Sequence, residues 1–161
     1  MKFLESELGG PFDLVFGLPV HPLAVHAAVV LVPLVALAAL VMTYLPSFSR
    51  RYGKFIFGVA LAAQASLFIA KQSGESFQER VGVEVDRHES FGTTATFIAI
   101  PMVILIYLRW RMDREGANIG SAAIRRLISA LLALAAFGAI VYVFLAGHSG
   151  AELVWGWVSK S

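Results

Sequence analysis

Long apolar runs separated by short charged segments set the pattern of this chain. A helix crossing about 30 Å of hydrocarbon needs about 20 mostly apolar residues. Leu23 to Leu45 meets that need, broken only by His26, Pro33 and Thr43. Phe55 to Ala70 is shorter, but Lys54 and Lys71 at its edges can snorkel to the interface and lengthen it in effect. Phe91 to Leu108 contains Pro101, which removes one backbone donor and should kink the helix. Leu127 to Ala146 completes the set. The pattern predicts an all-α, integral membrane, four-helix antiparallel bundle over 18–158. Ahead of it, segment 1–17 mixes Phe3, Leu4, Phe12, Leu14, Val15 and Phe16 with acids and reads as an amphipathic stretch on the outer surface. That segment has no continuous apolar core, so the first apolar run is expected to be a retained helix rather than a cleaved leader.

Charge orients the spans. The joining segments 46–54 and 109–126 hold Arg50, Arg51, Lys54, Arg109, Arg111, Arg114, Arg125 and Arg126, eight of the 13 Lys and Arg residues. Segments 1–22, 71–90 and 147–161 hold nine of the 11 acids. Short loops rich in Lys and Arg stay in the cytoplasm, so both termini are expected on the non-cytoplasmic side. Tyr107, Trp110, Trp155 and Trp157 fall at span ends, where amphipathic rings anchor at the headgroups. The small-residue runs Ala60, Ala62, Ala63, Ala65, Ser66 and Ala133, Ala135, Ala136, Gly138, Ala139 would let helices pack closely in lipid. Gln64, the one strongly polar amide within a span, is expected to hydrogen-bond to a neighbouring helix.

Composition narrows the chemistry. With 58% hydrophobic and 15% charged residues, the natural solvent is the bilayer. The absence of cysteine excludes disulfides, thiolate metal sites and thiol nucleophiles. The net charge of +2 comes from short basic groups beside apolar runs, not from a nucleic-acid-binding stripe. There is no Walker loop, no His-Glu-x-x-His and no Gly-x-Ser-x-Gly elbow. Almost no charge lies within the spans, which leaves little path for a transported substrate.

What remains is histidine and carboxylate. His21 and His26 open the first span, His88 precedes the third and His148 follows the fourth, so all four imidazoles fall at one end. Neutral imidazole is the commonest metal ligand and a ligand of haem iron, and ionisable groups at membrane depth are functional candidates by default. His21 and His26 lie about 140° and 7.5 Å apart on a helix, so they do not bind one ion side by side. The same end carries Glu75, Glu79, Glu84, Asp86, Glu89 and Glu152, and imidazole with carboxylate suits zinc, iron, manganese or copper. A haem slot would need small and aromatic neighbours, such as Phe91, Gly92 and the Ala-rich helices. No histidine lies toward the basic end, which excludes a two-haem wire across the membrane.

Several short patterns add a resemblance: His21-Pro22-Leu23-Ala24-Val25-His26, Ser73-Gly74-Glu75, His88-Glu89, and Gly147-His148-Ser149-Gly150-Ala151-Glu152-Leu153-Val154. Placed around four spans, they resemble the small four-helix bacterial membrane proteins catalogued as domain of unknown function 2231, over roughly residues 17 to 158. The resemblance implies a bacterial inner membrane location. Members joined to cytochrome c or Rieske-type modules imply work near periplasmic redox chemistry. This chain departs from the family pattern after Val154, reading Trp155-Gly156-Trp157-Val158 where many relatives have a tyrosine and a Gly-Val-Gly run.

The leading expectation is a binding or electron-transfer protein, rather than a self-contained enzyme, holding one b-type haem or one metal centre at its periplasmic face. Its ligands would be His26, His88 and His148 with His21 assisting, and Glu75, Glu89 or Glu152 would complete a metal shell or orient an imidazole. A periplasmic redox protein, a larger respiratory complex and a second copy of the chain are the expected partners besides lipid. The alternative is an accessory structural subunit of a respiratory or photosynthetic complex.

Overall fold

The computed structural model describes residues 12–81, 85–115 and 120–158. A short hairpin, β1 (Leu14–Val15) and β2 (Leu18–Pro19), leads into four helices: α1 (Val20–Tyr44), α2 (Pro46–Val81), α3 (Asp86–Glu115) and α4 (Ala122–Trp155). All four are long and apolar enough to cross a membrane. The all-α expectation therefore holds, and the chain is a multi-pass membrane protein. Each helix packs on the next, and α1 closes the ring against α4, with little contact between α1 and α3.

The helices overrun the apolar runs that predicted them. Segments 46–54 and 109–115 are helical, not loops. Charge ends hydropathy but not helical hydrogen bonding, and Arg and Lys are good helix formers. The 36 residues of α2 reach about 54 Å at 1.5 Å per residue, well past the hydrocarbon. A single residue, Leu45, joins α1 to α2. Pro46 fits the first helical position because the N–H it lacks would have no partner there.

Residues 1–11 of the expected amphipathic segment lie outside the described residues. The rest forms the hairpin, with Val15 paired to Leu18 and both turn residues, Phe16 and Gly17, at positive φ. That is the backbone of the tight turn that matches strand twist. The Val20 N–H donates to the Asp13 carbonyl at 2.9 Å, which ties the hairpin to the first turn of α1 beside His21.

The core is built from small and medium side chains: Ala28, Val32, Ala36, Ala39 and Met42 of α1, Ala60 and Ala63 of α2, Ala95, Ala99 and Met102 of α3, and Leu132, Ala136 and Ala139 of α4. Leu34, Leu37, Phe97, Leu134, Phe137 and Phe144 point outward, where the solvent is lipid. Gln64 donates to the Thr96 carbonyl of α3 at 3.3 Å, the interhelical bond expected of it.

One buried feature departs from its sequence reading. Arg109 counts there only as a topology charge in a loop, yet it lies inside α3 and faces the bundle. Its Nε donates to Asp113 Oδ2 at 2.7 Å, and the two side chains are 4% and 1% exposed. Arg109 also donates to Ser129 Oγ, and Arg125 of α4 reaches Asp113 Oδ1 at 3.5 Å and the Met112 carbonyl at 3.3 Å. The spacing i, i+4 puts Arg109 and Asp113 one above the other on a helix, and α4 supplies the rest of the shell.

Removing one partner of a buried ion pair strands the other charge, at a cost of about 3–5 kcal/mol. Asp113→Ala is therefore expected to lower the thermal unfolding midpoint in detergent sharply. Glu115→Ala, which breaks the exposed pair with Arg111, should leave it nearly unchanged. Equal effects of the two substitutions would show that the Arg109–Asp113 pair does not hold the α3–α4 hairpin.

Candidate functional site

At the end of the bundle opposite Arg109, two imidazoles meet. His21, the second residue of α1, turns inward and its Nδ1–H donates to the Ala70 carbonyl of α2 at 2.8 Å. His88, in the first turn of α3, donates from Nδ1 to the Ala146 carbonyl of α4 at 2.9 Å. A carbonyl can only accept, so both rings carry a proton on Nδ1, and in the neutral ring the lone pair is then on Nε2. The ring centroids are 5.9 Å apart and the planes nearly perpendicular, at 86°.

The two halves of the chain build this arrangement in the same way. The acceptor segments are Ala70-Lys71-Gln72-Ser73-Gly74 and Ala146-Gly147-His148-Ser149-Gly150. The Ser149 hydroxyl donates back to the Ala146 carbonyl at 3.0 Å, whereas the Ser73 hydroxyl donates to the Ile69 carbonyl at 2.6 Å and lies 3.2 Å from that of Ala70. Each glycine lies flat against the imidazole. A Cβ at Gly74 would stand 3.2 Å from His21, and one at Gly150 would stand 3.0 Å from His88. Pro33 and Pro101 follow the two histidines by similar distances in α1 and α3. The helix hairpins α1–α2 and α3–α4 are thus pseudo-equivalent, and the imidazole pair sits where they meet. Phe77 adds an asymmetric wall, stacking on His21 at 5.8 Å and 17°.

The other expected ligands lie elsewhere. His26 faces outward, its Nδ1–H donating to the Pro22 carbonyl one turn back at 2.6 Å. The rotation between His21 and His26 makes this unavoidable on a straight helix. His148 is exposed on α4, stacked on Phe144 at 6.2 Å and 3.4 Å from Glu152. Its neighbour Ser149, not His148, takes the inward position. Glu75 is exposed and paired with Lys71 at 2.7 Å, and Glu89 is exposed. Glu84 and the Glu79 side chain lie outside the described residues. His26 and His148 therefore do not join His88, and His21, expected only to assist, is its partner. Among the described residues no group of three or more His, Asp or Glu could hold a metal ion. Phe91 packs on Tyr142 at 6.3 Å.

A groove of about 330 Å³ opens beside His88 between the start of α3 and the end of α4, lined also by Asp86, Arg87, Ser149 and Glu152. It falls at the lower end of the range for small-molecule sites. The sequence reading missed the carbonyls of Ala70 and Ala146 as ring acceptors, although the repeated Ala-x-x-Ser-Gly is visible in the chain.

The glycine contacts are testable. In Gly150→Ala and Gly74→Ala the imidazole must give by a few tenths of an ångström, so both variants are expected to be less stable than Ala substitutions at uncrowded helical glycines. Gly92→Ala and Gly147→Ala meet nothing within 4 Å and should be neutral or stabilising in a helix. Unfolding midpoints of the four variants decide it. Four equal shifts would show that the glycines do not cradle the rings.

No curated protein and no solved structure matches this chain. A family model described as predicted membrane protein, domain of unknown function 2231, matches residues 17–159, which takes in all four helices and both imidazoles. The chain belongs to the DUF2231 family of predicted membrane proteins.

Proposed function

We propose that this protein binds a single redox-active group at the histidine end of the bundle through His21 and His88, and that it serves electron transfer at the periplasmic face of a bacterial inner membrane. The observation that carries this reading is the pair of inward imidazoles, each locked by a backbone carbonyl in the tautomer that leaves Nε2 free to ligate. An imidazole that binds a metal ordinarily donates its other N–H in this way.

The donor set favours b-type haem over a bare ion. Haem iron takes four ligands from its own macrocycle and needs at most two from protein. A zinc, copper or iron ion held by protein alone draws on three or four side chains, and the described residues gather only two. When bound, the haem would supply one-electron chemistry. The chain's contribution is to fix the two rings, exclude other tautomers and keep the site at one end of the membrane. Electrons would then enter and leave on the same side, since both ligating imidazoles lie at that end.

A reduced-minus-oxidised absorption spectrum of the detergent-purified protein, with metal analysis on the same sample, tests the proposal. Haem bands are expected in the wild type and lost in His21→Ala and His88→Ala, while His26→Ala and His148→Ala retain them. A stoichiometric metal without haem would move the proposal to a bare ion. Neither haem nor metal would sink it and favour an accessory subunit whose histidines are structural.

A further inference from the structure

At the basic end, Arg50, Arg51, Lys54, Arg114 and Arg126 have no carboxylate to meet among the described residues. Segments 46–54 and 109–126 contain only two acids, Asp113 and Glu115. Asp113 is taken inside the bundle by Arg109 and Arg125, and Glu115 by Arg111. Arg50 and Lys54 of α2 and Arg114 of α3 are exposed. Arg50 and Lys54 make no hydrogen bond or ion pair among the described residues, and Arg114 lies over the Trp110 ring, 5.9 Å from its centroid.

Arg50, Lys54 and Arg114 share one flank of one seam. Gly53 of α2 lies so close to α3 that a Cβ there would overlap the Trp110 indole, which fixes the line of contact between the helices. From Gly53, Arg50 is turned by about 60° and Lys54 by about 100° in the same sense, whereas buried Ser49 and Ile56 are turned the other way. From Trp110 on the antiparallel helix, Tyr107 and Arg114 are turned by about 60° and 40° toward that same flank, and buried Ile106 and Asp113 away from it. Arg50 and Arg114 stand about one turn beyond the Gly53–Trp110 level, at similar depth. Below them, toward the membrane centre, Phe57 and Tyr107 form an aromatic floor, their centroids 5.3 Å apart, with Tyr107 packed on Trp110 at 6.1 Å.

We propose that the α2–α3 seam at the basic end binds an anionic phospholipid, its phosphate held by Arg50, Lys54 and Arg114 and its acyl chain laid along Phe57 and Tyr107. The charge is complementary, the depth is that of headgroups beside a spanning bundle, and the apolar strip continues from the cations toward the hydrocarbon. Basic pockets between helices recognise such headgroups by charge and geometry together. The site is independent of the histidine end and of anything bound there.

Trp110 reports on it directly. In full-length protein carrying Trp155→Phe and Trp157→Phe, Trp110 is the sole indole. The protein is reconstituted in phosphatidylcholine vesicles containing equal fractions of either brominated phosphatidylglycerol or brominated phosphatidylcholine, and fluorescence quenching is compared. Stronger quenching by the anionic lipid is expected. Each of Arg50→Gln, Lys54→Gln and Arg114→Gln should lower that preference by up to about fivefold, the equivalent of roughly 1 kcal/mol per cation near an anionic surface. Arg50→Lys and Arg126→Gln on α4 should retain it. Quenching by brominated phosphatidylcholine that stays constant across the variants shows the seam to be intact. Equal quenching by the two lipids in the parent, preference surviving the three Gln substitutions together, or its loss in Arg126→Gln would each overturn the proposal.

Discussion

Inside hydrocarbon there is no water to satisfy a polar group, so a donor or acceptor in the spans finds its partner within the protein or stays unpaired at a cost, as buried Ser49 Oγ and Gln64 Oε1 do here. The rest of this structure follows from that constraint. Helices settle the backbone. The hydroxyls of Thr43, Ser66, Ser73, Thr94 and Thr96 settle themselves by donating to carbonyls three or four residues back. Gln64 reaches across to the Thr96 carbonyl. The two polar groups hardest to bury, imidazole and guanidinium, are placed at opposite ends, and each defines the architecture of its end.

At the histidine end the solution is used twice. An imidazole from the first turn of one helix donates to a carbonyl of the following helix, beside a serine bonded back to its own helix and a glycine that makes room for the ring. Because the same device recurs in α1–α2 and α3–α4, the two rings come together at the meeting of the hairpins without any direct hydrogen bond between them. The basic end does not repeat. The buried Arg109–Asp113–Arg125 cluster belongs to α3 and α4 alone, and in α2 the corresponding close approach is Gly53 against Trp110. The halves thus diverge where charge is buried and agree where the imidazoles are.

How much of this was legible in the chain depends on which interaction decided each feature. The four apolar runs located the helices because lipid-facing surfaces must be apolar all along a span. Helix ends were misjudged at 46–54 and 109–115 because hydropathy registers solvent preference, whereas the helix continues by backbone bonding through Arg50, Arg51 and Arg109. The shared end of the four histidines was readable from span order alone. Which of them turn inward was not, because that depends on helix rotation, set by packing of Gly74 and Gly150 against the rings. Helical spacing did separate His21 from His26, but it could not say which one faces the core. Arg109 was likewise read as a surface charge because nothing local distinguishes it from Arg111, two residues on.

The partners chosen at the two ends also decide what chemistry each end can support. Arg109 is neutralised by the Asp113 carboxylate, whose oxygens accept from Arg109 and Arg125, so that cluster pairs charge with charge. His21 and His88 are paired instead with neutral carbonyls, which accept the Nδ1–H hydrogen bond and leave Nε2 outside it. A ring held this way keeps a lone pair within the protein at no cost in buried charge. In their neutral form both rings therefore carry the Nε2 lone pair at the histidine end of the bundle.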